Sequence, residues 1–303
     1  LYEALTTLDG SGAIQPLLSE SWSTSADGLT WTFKLKKGAT FQDGSPIEAK
    51  DVVWSVNRLL AINEGPSYLF EGVLSEGSVT EIDSSTVQFK LEKTYAPFLT
   101  TTPILFVVNS DLAKENAGDG DPWAQDYIAN NSIGAGAFYL DSWERGAGMT
   151  IKAYEGYHLG WSDTGIDEVR FVVTNEEATV KALAASGELS MSSDAQAQET
   201  YDSIGALSDY RIEKYSTATN FYLKLNNSIA PTDDVNIRKA IAYATDYDTI
   251  RDVILPGAPL TGPMPPIFAD AYPDDIQPPS FDLAKAKEFV DASSYAGKGP
   301  IDI

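Results

Sequence analysis

The chain has 303 residues, 44 acidic and 21 basic, for a net charge of −23, a balance that opposes binding to a phosphate backbone or an anionic membrane surface. Hydrophobic residues at 43% and aromatics at 11% exclude wholesale disorder, and no apolar run approaches the roughly 20 residues that cross a bilayer. With no cysteine there is neither a disulfide scaffold nor a thiolate-ligated metal site, and the length exceeds a usual single core, so two or more domains are expected.

The first residues, Leu1-Tyr2-Glu3-Ala4-Leu5, carry no basic region and no cleavage site, so an export signal is expected outside this chain. Leu29, Trp31, Phe33 and Leu35 alternate as a strand, with Lys37-Gly38 as the turn after it. Ser45, Pro46 and Glu48 read as N-cap, first position and capping-box partner of a helix whose apolar stripe is Val52, Val56, Leu59 and Leu60. Val87, Phe89 and Leu91 form another strand, which makes 17–109 a compact α+β block. Loop composition at 116–122 separates it from strands containing Met149, Ile151 and Ala153, then Val169, Phe171 and Val173. Thr174 and Glu177 predict a second capping box, before a helix with Val180, Leu183 and Ala184 inward and Gly187 as its stop.

Further on, Phe221, Leu223 and Leu225 alternate with polar residues, which predicts a strand with one apolar face. After Pro231, Asp233 or Asp234 starts a helix with Ile237, Ala240, Ile241 and Ala244 on one stripe, and Thr245 with Asp246 starts another, closed by Pro256-Gly257. Packing explains this stretch except for Asn226, Asn227 and Arg238, for which structural and functional roles both stay open. Asp282 to Val290 reads as a final helix, and Pro300 to Ile303 as a strand just beginning.

No catalytic constellation assembles from these residues. Ile133-Gly134-Ala135-Gly136-Ala137-Phe138 lacks the third glycine and following helix of a dinucleotide site, so it reads as a turn into a strand. His158 is the only histidine; a serine or cysteine triad cannot be completed with it, which leaves a surface or packing role. Asp119, Asp121 and Asp126 lack the central glycine and terminal glutamate of a calcium loop. With 44 acids, carboxylate pairs suited to glycoside hydrolysis arise by accident, and only their spacing in space would distinguish them. No cofactor and no metal are expected.

The order of the motifs carries more than any one of them. DGLTWTFKLKKGATFQDGSPIEAKDVVWSVNRL, residues 27–59, resembles the signature of the family 5 extracellular solute-binding proteins of ABC importers, the dipeptide, oligopeptide and nickel type. Gln15 to Trp22, then Gly134 to Phe138 followed by Trp143, then Gly187-Glu188-Leu189, and then Asn226-Asn227 with Pro231, Asp234 and Arg238 match its further blocks in order. Two positions depart from the pattern: Ser190 stands where the family has aspartate, and His158 follows Tyr157 where it has tryptophan.

The resemblance implies an α/β, two-lobed periplasmic binding protein fold, class II-like, with an extra α+β domain and an incomplete second lobe. Domain I would comprise 1–16 and 110–222, domain II 17–109, and domain III would begin at 226 and run to 303. The hinge would lie at Leu225, Asn226 and Asn227. Glu3 and Leu5 match a cleft-lining loop, Ser193 and Asp194 a cleft-facing pair, and Tyr68 an aromatic reaching in from domain II. Asp194 is suited to a ligand ammonium or hydroxyl. The implied function is a monomeric, non-catalytic receptor, periplasmic or a cell-surface lipoprotein. It would deliver a small solute to a membrane permease: a peptide by default, otherwise an oligosaccharide or metal chelate. Alternatives from other classes are a glycoside-processing enzyme using paired carboxylates and a peptide chaperone or sensor on the same module.

Overall fold

The structure, a computed structural model, describes residues 1–192, 196–214, 219–254, 257, 260, 262, 264 and 275–299. The chain divides into two compact units, Leu1–Val173 and Thr174–Ile303.

The first unit runs β1 (Glu3–Ala4), β2 (Thr6–Leu8), β3 (Ile14–Pro16), β4 (Ser19–Thr24), β5 (Thr30–Leu35), α1 (Ala49–Ile62), a 3₁₀ turn (Gly65–Phe70), β6 (Val79–Asp83), β7 (Thr86–Lys90), α2 (Phe98–Thr101), β8 (Phe106–Val107), α3 (Ser110–Glu115), α4 (Gln125–Ile128), β9 (Phe138–Glu144), β10 (Gly148–Ala153) and β11 (Glu168–Val172). An antiparallel sheet in the order β4-β5-β7-β6 forms its centre. The alternation in β5 works as the sequence predicts, because period-two side chains share a face. Phe33 and Leu35 are buried, and Phe33 lies opposite Trp22 and Val87 across the strands. Phe33, Phe89 and Phe98 pack edge to face with centroids 5.5 Å apart at each step, geometry that adds about 0.5–1.5 kcal/mol per pair beyond area burial. The stripe of α1 closes over this core through Val52 and Val56. Leu5, Val107 and Ala135 belong to the same cluster, so β1, β8 and the glycine turn share one core with the 17–109 block. A second antiparallel sheet, β11-β10-β9, follows.

Helix α1 begins three residues later than expected, with Glu48 as its N-cap. Ser45 cannot cap it, because its N–H and hydroxyl both go to Asp43 Oδ1 (2.9 and 2.6 Å) in a local turn. The box partner is Asp51, whose Oδ2 accepts the Glu48 N–H at 2.9 Å. Asp51 is buried, and its Oδ1 also accepts the Ser110 N–H (3.0 Å) and hydroxyl (2.7 Å), which ties the start of α1 to α3. Burial pushes this carboxyl up, against the pull of the donors from Ser110 and Glu48.

The second unit contains α5 (Glu177–Ala185), α6 (Gln198–Gly205), α7 (Val235–Ala244), α8 (Tyr247–Thr249), a π-helical turn (Ile250–Ile254) and α9 (Leu283–Asp291). Val180, Ala184 and Ile204 bury the α5–α6 contact, and Gly187 ends α5 at φ +76°, a conformation that glycine adopts without strain. The Thr174–Glu177 box does not form. Glu177 turns instead to α6, accepting the Thr200 hydroxyl (2.5 Å) and the Ala197 N–H (3.2 Å). Asp234, Asp246 and Asp282 cap α7, α8 and α9 as their positions suggest.

The strand expected at 221–225 is absent. Phe221, Tyr222 and Leu223 are exposed, and no strand among the described residues pairs with them. Alternation specifies which face a strand would bury, but a ladder needs a partner. Pro256 and Pro300 to Ile303 lie outside the described residues.

Two outcomes follow for the intact protein. Asp51→Ala strands the buried donors of Ser110 and should lower unfolding free energy by about 2–4 kcal/mol, as measured by urea titration. Thr200 and Ala197 hold the Glu177 carboxyl below the ordinary glutamate range. Its contribution is therefore full above about pH 4.3 and lost as pH falls through the lowered folded value. Glu177→Gln should remove that part of the acid dependence, as read from thermal midpoints between pH 3 and about 6.

Candidate functional site: strand β1 and its supports

The first residues are held by an unusually close backbone approach. A Cβ on Gly134 would lie 2.3 Å from the Leu1 carbonyl oxygen, and one on Gly136 would lie 2.6 Å from the Leu1 carbonyl carbon. Only glycine permits this packing. The Gly136 N–H donates to the Leu1 carbonyl at 3.0 Å. Gln42, from the connection between β5 and α1, binds the assembly together. Its Nε2 donates to the carbonyls of Leu1 (3.1 Å), Gly136 (3.0 Å) and Phe138 (2.7 Å), while Oε1 accepts the Ser132 hydroxyl (2.5 Å).

Strand β1 then pairs with β8, Glu3 opposite Val107. Glu3 is only 6% exposed. Its Oε1 accepts the Tyr157 hydroxyl at 2.5 Å, and its Oε2 lies 2.6 Å from His158 Nε2. A ring nitrogen facing a carboxylate oxygen carries the hydrogen, so Nε2 is the donor. His158 Nδ1 is buried without a partner among the described residues. Burial, and then the bond to the Glu3 carboxylate, push the Tyr157 phenol well above its usual range. The rings of Tyr157 and His158 meet edge to face at 5.0 Å, and Trp161 flanks Tyr157 at 5.9 Å.

Among the expected ligand residues, Glu3 thus has both oxygens engaged within its own chain. Leu5 is fully buried in the core, and its carbonyl accepts the Ser19 N–H (2.9 Å) and hydroxyl (2.7 Å). Tyr68 is 70% exposed on the 3₁₀ turn, which buried Ser67 and Phe70 anchor on either side. The structure joins Glu3 and Leu5 on one segment; no hydrogen bond or ring contact links Tyr68 to them among the described residues. Ser193 and Asp194 lie outside the described residues.

At the expected hinge, Asn226 Oδ1 accepts the Ser228 N–H (2.9 Å), and its carbonyl accepts the Thr232 hydroxyl (2.5 Å). Asn227 is exposed and Leu225 half-buried. Arg238 Nη1 donates to the carbonyls of Thr232 (2.7 Å) and Asp233 (3.0 Å), which stiffens the entry to α7. Residue-by-residue reading missed Gln42, Tyr157 and His158 as partners of this site. The one signal was histidine in the tryptophan position after Tyr157; the partner lies 155 residues away in sequence.

No group of three or more metal-ligating side chains occurs among the described residues, and no described helix is long and apolar enough to cross a membrane. A family model described as bacterial extracellular solute-binding proteins, family 5 Middle, matches residues 13–302. The chain belongs to this family.

Members of this family are substrate-binding proteins, not enzymes. A probable D,D-dipeptide-binding periplasmic protein of Escherichia coli (strain K12) is 31% identical over 260 residues, covering 84% of this chain and 49% of that protein. The oligopeptide-binding protein AppA of Bacillus subtilis, solved with a nonapeptide, superposes with TM-score 0.82 at 23% identity, over 100% of this chain and 60% of that one. NikZ of Campylobacter jejuni, solved with Ni(L-His), superposes with TM-score 0.76 at 20% identity, over 96% and 57%. These likenesses establish the two-lobed α/β periplasmic binding protein fold. The chain spans about half the length of the curated relatives it matches.

Glu3→Ala leaves two buried donors without an acceptor and should cost about 3 kcal/mol. Tyr157→Phe should cost about 1–2 kcal/mol. The double variant should fall short of the sum by about 1 kcal/mol because the two share one bond. Urea unfolding of the three variants measures this.

Proposed function

We propose that this protein is the solute receptor of an ABC importer, capturing a small solute between two hinged lobes and handing it to a membrane permease. The family match across residues 13–302 carries this reading. A peptide is the favoured solute, supported by the D,D-dipeptide relative and the nonapeptide complex; the Ni(L-His) complex of a structural neighbour keeps metal chelates as a second reading. The protein works as a monomer without catalysis, in the periplasm or as a lipid-anchored surface protein.

In this reading domain I comprises 1–16 and 110–222, domain II 17–109, and domain III starts at 226. Leu225, Asn226 and Asn227 form the crossing about which the lobes turn. Ser193 and Asp194 contact the solute, with Asp194 taking an ammonium or hydroxyl, and Tyr68 supplies an aromatic surface. Glu3 and Leu5 contribute through the backbone they hold in place, since one carboxylate is engaged and the other side chain is buried. Binding shifts the population toward the closed form only to the extent that the solute contacts both lobes there.

Calorimetry of the intact protein with trialanine and N-acetyltrialanine tests this. Trialanine should bind, and acetylation or Asp194→Asn should each weaken it at least tenfold, as expected for loss of a charge-assisted bond of about 1.5–3 kcal/mol. Absence of binding by di- and tripeptides, with binding of nickel–histidine chelate, would favour the second reading.

A further inference from the structure

A surface cavity of about 330 Å³ lies between the end of α4 and the β9–β10 hairpin. Tyr127, Asn130, Asn131, Ser142, Trp143 and Arg145 line it, all outside the residues proposed to hold the transported solute. Arg145 is its notable member. The guanidinium is fixed on two sides: Nη2 donates to the Ala129 carbonyl and to Asn130 Oδ1, both at 2.9 Å, and Cζ sits 4.1 Å from the centroid of the Trp143 ring. Its Nε and Nη1 make no hydrogen bond to the described residues, and no described carboxylate pairs with it, although the protein carries 44 acidic residues.

Satisfying the last carbonyls of α4 explains Nη2 and nothing more. Such a role needs neither a cavity nor three further N–H groups that make no hydrogen bond to the described residues. The one carboxylate on the wall, Asp141, is neutralised by Lys152 at 2.9 Å, so it does not cancel the field of Arg145. The hollow is open to solvent, with Ser142, Trp143 and Arg145 exposed along it, and has room to seat a small molecule on its wall. A held cation with free donors above an aromatic face suits a planar anion.

We propose that this cavity is a binding site for a small carboxylate-bearing molecule, with Arg145 as its anion receptor and Trp143 as the face that holds the guanidinium in place. The site is independent of solute transport and stands whether or not the receptor reading holds.

The test is an NMR titration of the ¹⁵N-labelled intact protein with sodium succinate, against sodium chloride at matched ionic strength. The Arg145 Nε–H signal, assigned by its loss in Arg145→Gln, and the Trp143 indole signal should shift and saturate with succinate only. The Trp143 indole response should be at least tenfold weaker in affinity for Arg145→Lys, which keeps the charge but not the fork. Trp143→Phe should weaken the Arg145 response several-fold while leaving the thermal midpoint near that of the parent. Shifts that are linear, equal with chloride, or indifferent to Arg145→Lys would overturn the proposal. Should Arg145→Gln fail to fold, the parent and Trp143→Phe titrations decide alone, with site-selective labelling supplying the assignment.

Discussion

Everything at the candidate site depends on how closely the backbone of Leu1 to Glu3 approaches the glycine turn at 134–136. With a gap that no Cβ can enter, the carbonyls of Leu1, Gly136 and Phe138 converge beside the side chain of Gln42 and draw donors to them. Gln42 answers three of them with one amide. Because Gln42 follows Phe41, which is anchored in the main core, the fixing of β1 is coupled to the packing of the four-stranded sheet and α1. Sequence, turn and core thus agree on one position for the strand.

Once β1 is placed, Glu3 enters the interior and must be compensated there, since an unpaired buried carboxylate is costly. Tyr157 and His158 supply the compensation from a loop 154 and 155 residues away. A tryptophan in place of His158 would offer a single neutral N–H; histidine adds a second nitrogen, which is buried without a partner among the described residues. Both oxygens of Glu3 are thereby engaged within its own chain. The polar cluster ties β1 to the loop carrying Tyr157 and His158 within the first unit.

Local chemistry was legible wherever it was settled locally. The strand at Thr30–Leu35, the stripe of α1, the aspartate helix starts at 234 and 246, the helix from Asp282 and the glycine stop at 187 follow from periodicity or from bonds within a few residues. Two of the misses share one cause, which is competition from a distant group. Asp51 displaced Ser45 as the organiser of α1 because Ser110 completed its hydrogen bonds, and Glu177 left its own helix end for Thr200. The apolar alternation at 221–225 specified a face, but no strand among the described residues pairs with it. Most of the site was invisible for the same reason: Glu3 could be named from the family resemblance, but neither periodicity nor spacing reveals that a histidine 155 residues on will engage it.

The function proposed above requires a first body that keeps its shape and a crossing at 225–227 that takes up the motion. These 303 residues contain no cysteine, so none of them competes with introduced cysteine pairs for spin labels. Pulsed electron resonance on the intact protein should compare a pair within the first unit, Ser25→Cys with Asp119→Cys, and a pair spanning the crossing, Ser25→Cys with Lys287→Cys. The account predicts that saturating solute leaves the first distance unchanged and moves the second to a new, narrower distribution. A bound solute that shifts the first pair, or leaves the second where it was, would contradict it.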